Sequence, residues 1–362
     1  MLRVRLLLVA AFCGILTDSV VSAQTQDERT TIELTAEVRA NCLRVLREGL
    51  HSDEFWPSIH AAEGLTLGGY GAEVIEFLEP KVPLEKDDQQ RCGLARELIR
   101  AGLKQYETVM FEILSGEDNY GHIHAAESLY KVYRLGDGKA MRAAFAQTDS
   151  LRLQIMSAAA LARAGNPHAM EFLRETLPHP DPETSRTVAW VLGRIGDARD
   201  VEPIRKLVPD ASDEFTKSYY EHSLAALGDP AGLKALERNL SSTDGPIRTY
   251  AATFAGDAWA THLKDKLIGN LDDEHLDARI RAAQSLLQMA YKLPVDPAED
   301  IAELVYRADQ ERPRYTEGSI LEFSDGSLLY AVSQFIGSGS DFSQAIIVGR
   351  HSQDGGRTWG DP

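Results

Sequence analysis

The sequence predicts a mostly α-helical chain in which a solenoid of stacked helix pairs is followed by a short all-β segment. Three observations predict it. An Ala–Leu pair recurs at a near-constant interval over about 260 residues, and helix caps with Pro-marked starts fall between the recurrences. After Pro313 the pattern changes to short alternating runs broken by Ser, Asp and Gly.

The first residues read as a processing signal. Arg3 and Arg5 precede an apolar run from Leu6 to Leu16, and Val21, Ser22 and Ala23 offer a small-residue cleavage site. Residues 1–23 are therefore expected to be a signal peptide, with the mature chain exported to a periplasmic or extracellular compartment. The run is 11 residues long, against roughly 20 needed to cross a bilayer, so no membrane span is expected once the signal is removed. Phe12 before Cys13 argues against a lipoprotein anchor. Two cysteines remain, Cys42 and Cys92, too few for a disulfide scaffold, and whether they pair is left open. With 43% hydrophobic residues and a net charge of -17, the composition is that of an ordinary globular protein whose surface repels nucleic acid.

Residues 24–292 carry the repeat. Leu65, Leu98, Leu129, Leu161, Leu192, Leu224, Ala255 and Leu286 follow one another at 31–33 residues. Three positions earlier stands Ala in every repeat but one, where Glu221 takes its place. Residues i and i+3 share a helical face, so the small Ala lets a neighbouring helix approach while Leu fills the seam. Four positions later stand Gly69, Gly102, Gly165, Gly196 and Gly228, with Tyr133, Trp259 and Ala290 in the other repeats; glycine there suits a helix end that needs positive φ. Next, "GNPHAMEFL", "GDARDVEPI" and "GDPAGLKAL" each supply an Asn or Asp cap ahead of a second apolar segment. Helix pairs of this size cannot bury their apolar faces alone and must stack into a curved α-solenoid. The pattern resembles bacterial HEAT-like repeats. That resemblance implies protein binding along a concave face, although such arrays also serve as spacers.

"SIHAAEGL" and "HIHAAESL" place His60 with Glu63, and His124 with Glu127, on one helical face. Some HEAT-repeat hydroxylases hold iron with His–Glu pairs drawn from several repeats, so the resemblance raises a metal reading. Packed helices lie about 8–10 Å apart, which sets repeats two apart at roughly 20 Å or more. The intervening repeat offers Gly93 and Arg96. The pairs are therefore read as helix-surface pairing with His122 as a further polar neighbour, and neither metal nor cofactor is implied.

Residues 293–312 read as a linker with a short helix near 298–307 between Pro-marked turns. In residues 313–362, "GSILEFSDGSLLYAVSQF" gives two runs around Ser324-Asp325-Gly326, a hairpin signal, and "SQAIIVGRHS" gives a third strand. Ser352, Asp354, Gly356, Thr358 and Trp359 then fall at S-x-D-x-G-x-T-W spacing, an Asp-box turn pinned by a buried Trp and leading toward a fourth strand. Four strands make one propeller blade.

This stretch of about 50 residues resembles the opening blade of the sialidase (neuraminidase) or BNR-repeat family. The resemblance implies a glycoside hydrolase parent, with Arg314 capturing a sugar carboxylate, Asp341 as acid/base, and the Asp box structural. Where the family has a second-strand Glu-Gly-Arg this chain has "SQFIGSG", leaving Gln334 or nothing in place of the arginine. The family's remaining arginines and its tyrosine nucleophile belong to later blades, so this chain alone is expected to be a catalytically incomplete fragment. The expectation is thus an exported HEAT-repeat interaction domain joined to a sialidase-like blade for an acidic glycan; the alternative is a non-catalytic protein-binding scaffold.

Overall fold

The computed structural model describes residues 31–290, 305–306, 308–323, 327–352 and 359–360. The expected signal peptide, most of the linker helix, the Ser324–Gly326 turn and the Asp-box residues Asp354, Gly356 and Thr358 lie outside them. The chain forms two compact units, a helical one and a β one. Among the described residues no helix is long and apolar enough to cross a membrane.

The helical unit is a run of pairs: α1 (Ala36–Leu50) and α2 (Phe55–Leu67), α3 (Gly71–Leu78) and α4 (Asp88–Arg100), α5 (Glu107–Leu114) and α6 (His122–Lys131), and α7 (Lys139–Ala146) and α8 (Leu151–Arg163). It continues through α9 (Pro167–Thr176) and α10 (Pro182–Ile195), α11 (Ala198–Leu207) and α12 (Glu214–Ala226), α13 (Pro230–Asn239) and α14 (Gly245–Asp257), and α15 (Lys264–Gly269) and α16 (Leu276–Ala290). Every marker Leu or Ala falls on an even-numbered helix and is buried, as is each residue three positions before it. Even helices pack on one another in succession and form the inner layer; odd helices pack on their even neighbours and form the outer one.

The solenoid curves until its last repeat meets its first. α16 packs against both α1 and α2. Close approach is possible because a Cβ on Gly49 would come within 2.8 Å of Ile280, and one on Gly64 would meet Leu46 and Gln284. The Ile32 amide donates to the Met289 carbonyl at 3.1 Å, and His60 of α2 shares a 2.9 Å hydrogen bond with Asp277 of α16. One apolar core therefore contains Leu46 and Leu65 together with Ile280, Leu286 and Leu287.

The helix ends follow the expected chemistry. Asn166, Asp181, Asp197 and Asp229 cap α9, α10, α11 and α13, each accepting from backbone amides of the first turn. Gly69, Gly102, Gly165 and Gly228 have positive φ, and Tyr133 and Trp259 adopt it in two of the three repeats that lack glycine, Ala290 being the exception. Gly196 departs from the expectation: it is extended rather than left-handed. A Cβ there would collide with the Leu192 carbonyl at 2.4 Å, so close approach, not positive φ, explains that glycine.

The second unit is an antiparallel meander of β1 (Arg314–Glu322), β2 (Leu328–Phe335) and β3 (Ala345–Ser352), in that order. Arg314 faces Phe335, and Leu328 faces Ser352. A bulge between Thr316 and Ser319 puts Glu317 at φ 57. Tyr306 stacks on Tyr315 at 5.0 Å and Trp359 meets the Tyr330 ring edge-on at 6.0 Å. Trp359 is half-buried rather than buried.

Truncating the last marker tests the closed packing. Leu286→Ala is expected to cost about 2–5 kcal/mol, the range for fully buried leucines, while Leu84→Ala, at a position 76% exposed, should stay within about 0.5 kcal/mol. Urea unfolding monitored by circular dichroism distinguishes the two.

Candidate functional site

The side chains that meet inside the ring come from repeat positions other than the Ala–Leu–Gly trace. Two residues before the marker stand Glu63, Arg96, Glu127 and Trp190; two after it stand Arg100, Lys131, Arg163, Arg194 and Asp257. Four successive basic residues at one register position are a signal readable in the sequence.

These groups pair across repeats. Glu63 lies between Arg281 Nη1 at 2.7 Å and Arg100 Nη2 at 3.1 Å. Arg100 also pairs with Glu97, whose other partner is Arg96 Nε at 2.6 Å. Lys131 contacts Glu127 at 2.6 Å and sits 5.4 Å from the centroid of the Trp190 ring, two inner helices away. Arg194 packs 4.3 Å from the same ring and reaches Asp257 at 2.5 Å, again two inner helices on. Arg163 covers the rings of Tyr130 and Tyr133 and donates to the Tyr130 carbonyl at 2.7 Å.

Charges removed from water must be paired, and here they are. Burial alone would raise the Glu63 carboxyl, but Arg100 and then Arg281 hold it well below the ordinary range. Glu127, half-buried, is held down to about 2 chiefly by Lys131. Asp257 goes the other way: burial raises it against the pull of Arg194. His222 is fully buried, with Nε2 3.1 Å from the Asn239 amide. Burial, reinforced by Arg194 and Arg238, lowers it to about 3, so it is neutral in the fold.

The two His-x-x-Glu motifs are pulled apart by this packing. His60 goes to Asp277, Glu63 to arginines, Glu127 to Lys131, and His124 stacks on Trp56 at 5.7 Å. That last contact joins α2 to α6 through two long side chains, while α4 packs between the two helices. His122 Nε2 lies 3.1 Å from the Gly116 carbonyl. Among the described residues no group of three His, Cys, Asp or Glu is arranged to hold a metal ion. Cys42 and Cys92 are free and buried, and burial pushes each thiol to about 12, which leaves them unreactive.

In the sheet, Arg314 and Asp341 come together. The Arg314 guanidinium pairs with the Asp341 carboxylate, donates to the Gly339 carbonyl at 3.0 Å and packs 4.8 Å from the Phe335 ring. Gln334 does not join them. It lies on the opposite face, where its Nε2 donates to the Tyr315 hydroxyl at 2.7 Å. Ser352 is buried at the end of β3, and the Gly360 amide donates to the His351 carbonyl at 2.9 Å, so the two ends of the Asp-box segment return to the same strand.

Two surface grooves lie between successive outer helices. One, of about 420 Å³, runs between α5 and α7 past Phe111 and Lys139; the other, of about 700 Å³, runs between α11 and α13 over α12.

Comparison with known proteins agrees with the helix pairs. The family described as HEAT repeats matches residues 138–223, from the connector before α7 into α12. No curated protein matches the chain. Among solved structures it is similar to human deoxyhypusine hydroxylase in complex with glycerol, at 13% identity over 70% of this chain and 97% of that one, with a TM-score of 0.34. It is also similar to an engineered protein, at 16% identity over the same shares and a TM-score of 0.28.

The buried ionisable groups fix the pH response. A histidine held neutral makes the folded state reject a proton that the unfolded chain accepts, so His222 should cost stability as pH falls from about 6.5, at up to about 1.4 kcal/mol per pH unit. The depressed carboxyls of Glu63 and Glu127 contribute stability above their unfolded values and lose it as pH falls below about 4.5. Urea unfolding at stepped pH should show both phases. His60 and His124, also lowered by burial, add to the first phase; His222→Leu should therefore shrink it and leave the second, and an unchanged first phase contradicts the assignment.

Proposed function

We propose that the helical unit is an interaction scaffold whose partner engages the outer layer rather than the concave side. One observation carries this reading: the inner side is spanned by the chain's own Lys131–Trp190 and Arg194–Asp257 contacts, while both grooves open between outer helices. Opening the inner side would separate Arg194 from Asp257 and Lys131 from the Trp190 ring, and those contacts would be lost. The outer grooves are available without that cost. HEAT repeats commonly mediate protein interactions, which fits. Export through the N-terminal signal belongs to the same proposal and would place the scaffold outside the cytoplasm.

Photo-cross-linking from single sites in the producing organism tests the reading. Probes on outer helices, such as position 139 or 234, should capture a protein partner, and a probe at Trp56 on inner helix α2, which is 36% exposed, should not. Capture confined to inner-layer probes contradicts it.

A second reading concerns the sheet. Arg314 and Asp341 would serve a carboxylated sugar, as the sialidase resemblance implies, and their pairing on one end of the meander favours it. Arginine suits a carboxylate because its planar fork matches both oxygens. The chain should hydrolyse no fluorogenic sialoside, since one sheet supplies neither a nucleophile nor the remaining arginines. Weak saturation-transfer NMR signals from N-acetylneuraminic acid are expected, and Arg314→Ala should abolish them. Equal signals in that variant count against the assignment.

A further inference from the structure

The groove between α11 and α13 differs in charge from the chain that carries it. Its walls include apolar Val208 and Pro209 on one side and Ala231 and Ala235 on the other, with Leu224 at the floor. Around this strip stand Arg205, Lys217, Lys234 and Arg238, against two carboxylates, Glu214 and Glu221. With Glu202 and Asp229, the carboxylates that hold Arg205, the groove is charge-balanced on a chain whose net charge is -17.

The pairing of these groups shows which charges are available. Glu221 is buried, and both its oxygens are occupied: Arg238 donates to one at 2.7 Å and the Asn239 amide to the other at 2.9 Å. Arg205 is shared between Glu202 and Asp229. Lys217 reaches Glu214 only at 3.5 Å, and that glutamate is largely exposed. Lys234 is exposed and makes no ion pair among the described residues. Two flexible ammonium groups therefore flank an apolar strip with little internal competition. The floor is also built closely, since a Cβ on Gly232 would strike the Ala225 amide at 2.4 Å, holding α13 tight against α12.

We propose that this groove binds a short acidic segment of a protein partner, in which Asp or Glu residues flank an apolar side chain. The apolar residue would lie along Val208 and Ala235, and the carboxylates would meet Lys217 and Lys234. This rests on the scaffold reading above and names its partner's chemistry. A long polyanion such as nucleic acid is disfavoured, because beyond the groove it meets a predominantly negative surface. A short peptide feels the local field alone, which decays within about 8–10 Å at moderate salt.

Fluorescence anisotropy on the full chain tests the proposal, using a labelled peptide of alternating Glu and Leu and its Gln-for-Glu counterpart. The Glu peptide should bind and the Gln peptide should not, and added salt should weaken binding. Lys234→Glu should weaken it at least about tenfold. It should leave the thermal midpoint unchanged, because Lys234 is exposed and unpaired. Lys139→Glu, in the other groove, should leave binding unaltered. The proposal is overturned if the Glu peptide does not bind, if Lys234→Glu binds it equally, if the Gln peptide matches it, or if a single-stranded oligonucleotide binds more tightly. If the peptide fails while cross-links still map to outer helices, the groove assignment falls and the scaffold stands. Peptide binding with cross-links confined to the inner layer would instead reject the scaffold reading.

Discussion

The contact of the last repeat with the first is the interaction on which the rest of the helical unit depends. A stack of helix pairs leaves one apolar face open at each end, normally covered by polar capping repeats. Here the two open faces cover each other. Ile280 seats over Gly49, Gln284 over Gly64, and Arg281 places its guanidinium on Glu63. Eight inner helices close in this way, with an Ala–Leu pair at most of the seams letting each helix pack closely on the one before.

Closure has a chemical consequence. It brings the inner faces of non-neighbouring helices within reach of one another, so α6 touches α10 and α10 touches α14 through Trp190, Arg194 and Asp257. Residues that would line a binding surface in an open array become each other's partners. The proposed recognition surface is the outer layer, where one groove runs between α11 and α13. The sheet is a separate unit, in which Arg314 pairs with Asp341.

The helix pairs were legible in the sequence because their signal is local: an Ala–Leu spacing, a cap, a glycine, all within one repeat. Tyr133 and Trp259 show how strong that local demand is, since both adopt positive φ where glycine is missing. Ring closure was not legible, because it depends on the sum of many small rotations and no single repeat encodes it. Gly49 and Gly64, small residues on the faces that meet α16, were its trace. The basic series Arg100, Lys131, Arg163, Arg194 is visible in the sequence, but partners across the ring lie in other repeats, as Arg194 and Asp257 show, and no single repeat encodes them. In the sheet, Arg314 pairs with Asp341. The exclusion of Gln334 follows from strand alternation, since its neighbour Phe335 shares a face with Arg314.

A double-mutant cycle on Glu63 and Arg281 tests the closed ring most directly, because these residues are 218 positions apart in the chain and 2.7 Å apart in the fold. Unfolding free energies of Glu63→Gln, Arg281→Met and the double variant give their coupling without reference to other contacts. Closure predicts a coupling of about 1–3 kcal/mol, as for residues within one ion-pair network. Additivity within about 0.3–0.5 kcal/mol, the behaviour of distant independent sites, would contradict it.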